Sequence, residues 1–175
     1  SVGDASVSES VEVYGMDATT ATLVLDVDAI DRWSPDDPTL YDVEARLSGE
    51  QADERDGDVF EDDLRDRVGF REVTTDGREI LVNGEPVEIA GVNRHEDHPE
   101  WGSAQPLRIQ ERDLDLVRRA GCTAVRCSHY PNHPRFLDLC DEAGILVIEE
   151  IPMWGVDASK TTATQERAQR ALIEM

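Results

Sequence analysis

The second half of the chain alternates strand-like and helix-like runs, and that alternation restricts the architecture more than any other feature. From Val87 onward the order is strand (residues 88–93), helix (108–120), strand (123–126), helix (133–143) and strand (145–148). Each helical pattern is followed by a glycine, Gly121 or Gly144, the residue that most readily adopts the left-handed backbone closing a helix. Ile109, Leu114, Leu116 and Val117 make the apolar face of the first helix, and Phe136, Leu137 and Leu139 that of the second. Strands joined through helices run parallel, with right-handed crossovers. A doubly wound sheet and a (β/α)8 barrel both satisfy the pattern, but no G-x-G-x-x-G follows the first strand as a dinucleotide fold would want. Residues 161–175 read as a third, amphipathic helix, so the chain is expected to end inside an unfinished array.

The first part follows a different period. Val11-Glu12-Val13-Tyr14, residues 21–27 and residues 40–47 alternate as half-buried antiparallel strands do, with turn material at Asp17-Ala18-Thr19 and Ser34-Pro35-Asp36-Asp37-Pro38. Residues 49–58 are polar and charged and are expected to form an exposed loop. Around Gly69 a β-ribbon begins, with Thr75-Asp76-Gly77 and Asn83-Gly84 as hairpin signals. The chain divides on this reading into an all-β region, 1–68, and an α/β region, 69–175.

Charge narrows the partners. Residues 1–68 hold 20 acids and 5 arginines, net −15, and the remainder nets −7, which together give −22. Such a surface repels phosphate backbones and anionic lipid, so nucleic acid and membrane are not expected partners. No apolar run approaches the roughly 18 residues of a membrane helix. Lys160 is the only lysine beside 16 arginines, and an acidic surface with so little lysine fits a salt-loving source. Cys122, Cys127 and Cys140 are odd in number and form no C-x-x-C pair, which points to a reducing, cytoplasmic setting.

In parallel α/β folds the reactive groups lie beyond the carboxyl ends of the strands. All four histidines fall there: His95 and His98 after the first strand, His129 and His133 after the second, with Glu149, Glu150 and Trp154 at and after the third. The pairs His95/His98 and His129/His133 have ligand-like spacing, but no third ligand can be placed, and no metal site is assigned. A sugar pocket suits the mixture better, because imidazoles and carboxylates bond hydroxyls and an indole covers the apolar face of a ring. Glu149 and Glu150 are neighbours on a strand, point to opposite faces and cannot flank one bond as a catalytic pair.

Several of these stretches resemble the β-galactosidases of glycoside hydrolase family 2: Gly69-Phe70-Arg71, Leu81-Val82-Asn83-Gly84-Glu85-Pro86-Val87, Gly91-Val92-Asn93-Arg94-His95-Glu96, and Ala124-Val125-Arg126-Cys127-Ser128-His129-Tyr130-Pro131-Asn132-His133-Pro134. The similarity continues through Leu139-Cys140-Asp141-Glu142-Ala143-Gly144, and Trp33-Ser34-Pro35 with Pro38-Thr39-Leu40-Tyr41 resembles the end of that family's immunoglobulin-like domain. The resemblance implies the last strands of an immunoglobulin-like β-sandwich, followed by the first three βα units of a (β/α)8 TIM barrel. It implies retaining hydrolysis of terminal β-galactosides by two glutamates about 5–5.5 Å apart. These follow the family's fourth and seventh barrel strands and are absent from this sequence, so the 175 residues alone are expected to be inactive.

By the same resemblance His95 and His129 line the sugar subsite, with Trp154 and Glu150 beside them, and Arg126 orients the nucleophilic carboxylate. A structural ion pair is the other reading of Arg126, since a buried guanidinium needs a carboxylate either way. Where many family β-galactosidases carry a glutamate and a histidine that help bind magnesium, this chain has Ile151-Pro152-Met153-Trp154-Gly155. That loop resembles β-glucuronidase-like and smaller β-galactosidase members, which leaves magnesium in the full-length enzyme open. The alternatives are a β-glucuronidase or β-mannosidase of the same family, a metal-dependent hydrolase, or a non-catalytic carbohydrate-binding or structural domain. The expected partner is a β-glycoside or oligosaccharide, and the full-length enzyme is expected to be a homo-oligomer.

Overall fold

The computed structural model describes residues 1–14, 17–50, 59–155 and 162–174, and these form two units. One comprises Ser1–Arg32 and Thr39–Phe70, the other Trp33–Pro38 and Arg71–Met175.

Among its described residues the first unit contains one antiparallel strand pair, β1 (Tyr41–Glu50) and β2 (Val59–Val68). Its register sets charges of opposite sign face to face, Glu44 against Arg65, Arg46 against Asp63 and Asp42 against Arg67. The Glu44 carboxylate accepts from Arg65 at 2.9 Å and from Arg46 at 3.0 Å. The expected strand at 40–47 is present as β1. The strands expected at 11–14 and 21–27 do not form. Val13, Leu23 and Val24 remain 52%, 51% and 74% exposed. Alternation makes a strand only where a neighbouring ladder takes its backbone groups and a core takes its apolar face. Among the described residues of this unit neither is supplied: there is no second sheet. Residues 51–58, most of the expected loop, lie outside the described residues, while Gly49 and Glu50 belong to β1.

The second unit opens with a small antiparallel sheet, β3 (Val73–Asp76), β4 (Glu79–Val82) and β5 (Glu85–Pro86). Asn83 and Gly84 both take positive φ, 56° and 87°, the conformation a tight two-residue hairpin requires and the reason for Asn-Gly there. Then come β6 (Gly91–Arg94), α1 (Leu107–Arg119), β7 (Ala124–Cys127), α2 (Pro134–Ala143), β8 (Leu146–Glu149) and α3 (Thr162–Glu174). Strands β6, β7 and β8 lie side by side in chain order, and both pairings are parallel. The expected alternation is therefore present; the described strands do not close into a barrel.

The core lies between this sheet and the helices. Leu114 and Val117 of α1, Phe136 and Cys140 of α2, and Val125, Cys127 and Ile145 are buried together. On α1 the buried positions are Gln110, Leu114 and Val117, spaced as one helical stripe. Leu116, expected on that face, is 51% exposed, because two positions from Leu114 is about 200° around the helix. Burial pushes the Cys127 and Cys140 thiols up to about 12.

Trp33, only 1% exposed, belongs to this second unit. Its indole N–H donates to the Asp141 carbonyl at the end of α2 at 2.9 Å, and its own carbonyl accepts from Asn83 Nδ2 at 2.9 Å. No helix among the described residues is long and apolar enough to cross a membrane.

Candidate sugar-binding site

Register explains the placement of the site. Asn93, Arg126 and Ile148 lie in one row across the three strands, and Arg94, Cys127 and Glu149 in the next. Successive residues of a strand face opposite sides, so the Arg126 row points away from the helices and the Arg94 row towards them. Glu150 follows the parity of Ile148 and joins Arg126.

On the Arg126 side the expected residues converge. The rings of His95 and His129 meet edge to face with centroids 5.5 Å apart, and His95 lies 6.1 Å from the Tyr130 ring. Trp154, 77% exposed, has its indole 6.2 Å from His129. Glu150 Oε2 lies 2.8 Å from His129 Nδ1, and its other oxygen bonds the Arg126 guanidinium. Arg126 also donates to Asn93 Oδ1 at 3.3 Å. The hydrogen bond from His129, followed by the charge of Arg126, holds the Glu150 carboxyl below its ordinary value of 4.5. An ionised carboxylate only accepts, so His129 Nδ1 is the donor of that bond.

The other two histidines do local work. His98 Nδ1 accepts from the Glu100 amide at 3.2 Å, and its ring packs on Trp101 with centroids 5.1 Å apart. His133 caps α2, accepting from the Arg135 amide at 3.1 Å. Both ligand-like pairs are thus split between a site ring and a backbone cap. Among the described residues no group of three or more His, Cys, Asp or Glu side chains is placed to hold a metal ion. Glu149 turns to the helix side and accepts from the Asn132 amide at 2.9 Å, apart from Glu150 as strand parity requires.

Arg94 on the helix side, with Glu96, Gln105, Asp113 and Asn132 around it, forms a buried polar network that sequence reasoning did not assign. One signal was available: an arginine at the helix-facing parity of a buried strand needs acceptors, and α1 carries Asp113.

The chemistry of these side chains suits a polyol. Imidazole N–H and N groups and a carboxylate can bond hydroxyls, and an exposed indole can cover an apolar ring face. Comparison with known proteins identifies the family. Residues 73–172 match the family described as "Glycosyl hydrolases family 2, TIM barrel domain", and residues 2–71 match "Glycosyl hydrolases family 2". The β-galactosidase of Pectobacterium atrosepticum is 41% identical over 143 residues, 82% of this chain and 13% of that protein. The β-galactosidase of Kluyveromyces lactis is 42% identical over 126 residues, 72% of this chain and 12% of that protein. Among solved structures, a family 2 β-galacturonidase of Eisenbergiella tayi bound to galacturonate superposes with a TM-score of 0.73 at 40% identity, covering 88% of this chain and 27% of that one. A β-glucuronidase of Ruminococcus gnavus in complex with D-glucuronic acid gives 0.63 at 30% identity, covering 73% of this chain and 21% of that one. The chain therefore spans roughly an eighth of its curated relatives, and it belongs to glycosyl hydrolase family 2.

Proposed function

We propose that this chain is the part of a retaining β-glycosidase that builds one side of its sugar subsite, and that the whole enzyme hydrolyses terminal β-galactosides. The observation that carries the reading is the meeting of His95, His129 and Trp154, with Glu150 bonded to His129, beyond the ends of three parallel strands. Identity of 41% and 42% to two β-galactosidases supplies the sugar. On this reading residues 1–68 end an immunoglobulin-like sandwich and residues 69–175 begin a (β/α)8 barrel, with the catalytic carboxylates on strands outside these 175 residues.

His95, His129 and Glu150 bond sugar hydroxyls in this scheme, and Trp154 covers the ring. Arg126 orients the nucleophilic carboxylate; its five N–H donors are not exhausted by Asn93 and Glu150, so it can bridge Glu150 to an incoming carboxylate. The three free thiols suit a cytoplasmic enzyme, and the scarcity of lysine a salt-adapted one. A uronide is the second reading, favoured by the galacturonate-bound relative at 40% identity.

A panel of nitrophenyl β-galactoside, β-glucuronide, β-galacturonide and β-mannoside offered to the full-length protein decides between them. The galactoside is expected to give the highest kcat/KM. Preference for a uronide moves the assignment to the second reading, and turnover of none of the four removes the glycosidase. The 175 residues alone are expected to turn over nothing; hydrolysis by them would place the catalytic pair inside this chain.

A further inference from the structure

The buried guanidinium on the helix side of the sheet has a geometry that the sugar site itself does not explain. Arg94 is 6% exposed. Its Nε donates to Asp113 Oδ2 on α1 at 3.1 Å and its Nη2 to Gln105 Oε1 at 2.9 Å. Its Nη1 reaches Asn132 Oδ1 at 2.5 Å and Glu96 Oε1 at 3.4 Å. The plane lies over the Phe136 ring of α2, 3.9 Å from its centroid.

The partners continue the network into both loops of the site. Glu96 Oε1 accepts from the His133 amide at 2.8 Å, and the Glu96 amide donates to the Tyr130 hydroxyl at 2.9 Å. The Asn132 amide donates to Glu149 Oε1 at 2.9 Å. The segment between β7 and α2, which carries His129, is thereby tied at Tyr130, Asn132 and His133 to the ends of β6 and β8.

We propose that Arg94 is a positioning residue: it fixes the loop carrying His129 against the loop carrying His95, so that the two imidazoles present one hydroxyl-binding surface. The proposal rests on the sugar-site reading above. A guanidinium is required because its three nitrogens serve four acceptors at once while its central carbon lies over the Phe136 ring. Lysine offers three donors and no plane. The placement matters because displacing a binding group by about 1 Å can cost about 100-fold in rate.

Arg94→Lys in the full-length protein, which keeps the charge and loses the fork, is expected to lower kcat/KM about 100-fold on the panel's preferred substrate. Asn132→Ala, which removes one of the four acceptors together with a 3.4 Å bond from Asn132 Nδ2 to the Tyr130 carbonyl, is expected to lower it less, and the double variant to fall well short of the summed losses because the two residues share one interaction. Additive losses, or a lowered melting temperature with kcat/KM unchanged, would reduce Arg94 to a packing role and overturn the proposal. A readout independent of turnover separates this test from the glycosidase assignment. In proton–nitrogen ring spectra both Arg94→Lys and Asn132→Ala should broaden or split the His129 signals and leave those of His98 unaltered. Unaltered His129 signals in folded Asn132→Ala would overturn the clamp, whether or not the protein hydrolyses any glycoside and even where Arg94→Lys fails to fold.

Discussion

Glu150 bonds both His129 and Arg126. The hydrogen bond from His129 and then the Arg126 charge hold its carboxyl below 4.5 in the folded protein. A carboxyl depressed by folding adds stability that is complete above its unfolded value and drains away as pH falls through the folded one. The midpoint of urea unfolding should therefore drop more steeply from about pH 5 to about pH 3 in the parent than in Glu150→Gln. Parallel curves for the two proteins would show that the trio contributes nothing to acid sensitivity. The cysteines offer a second expectation at this scale. The thiolate is the nucleophile, and burial has pushed Cys127 and Cys140 up to about 12, whereas Cys122 is partly exposed. Iodoacetamide at about pH 8 should label Cys122 alone in the native protein and all three cysteines in urea, counted by mass. Rapid native labelling of Cys140 would contradict the burial described for α2.

Among the elements, the parallel pair β6–β7 depends on a residue without a side chain. A Cβ placed on Gly91 would lie well inside van der Waals distance of the Ala124 carbonyl, its partner in the register, and backbone cannot give way as a flexible side chain can. Gly91→Ala is expected to cost about 1–3 kcal/mol, read from the urea midpoint. An unchanged midpoint would mean that β6 and β7 do not approach so closely. The α1–β7–α2–β8 series was legible in the sequence because short strand-like runs interrupt helix-like ones there and glycines mark the helix ends. Gly144, at φ 69°, closes α2 as its position suggested. Strand β2 was not legible: Val59-Phe60-Glu61-Asp62-Asp63-Leu64-Arg65-Asp66-Arg67-Val68 has no apolar alternation, and its ladder is fixed by backbone bonds and by arginines opposite acids. Residues 11–14 and 21–27 failed in the opposite sense, having the alternation without a ladder. His95 and His129 could be found because strand ends are where such groups gather. For Arg94 strand parity signalled only that acceptors were needed; which ones was not legible, since Asp113 and Asn132 are 19 and 38 positions away and only the fold brings them together.

Over the whole molecule the dominant quantity is a net charge of −22 on 175 residues, with −15 of it in the first 68. Salt acts on such a chain in two opposing ways. It screens the repulsion among carboxylates, and it also screens the pairs Glu44–Arg65 and Arg46–Glu44 that support the β1–β2 ribbon. Both arginines of these pairs are exposed, and pairs so open to solvent contribute little even in dilute buffer. The repulsion involves many more charges, and acids such as Asp62 and Glu61 face Leu47 and Ser48 across the ladder rather than a cation. Repulsion should therefore win. At about 1 M salt the Debye length is about 3 Å against about 30 Å at 0.01 M, so nearly every surface carboxylate is screened from its neighbours at the higher concentration. The melting temperature should rise from dilute buffer to molar KCl, and Glu61→Gln with Asp62→Asn should raise the low-salt value while flattening the rise. A melting temperature that stays level or falls across that range would show that the ion pairs of the ribbon outweigh the net charge, and would leave the scarcity of lysine without a physical role.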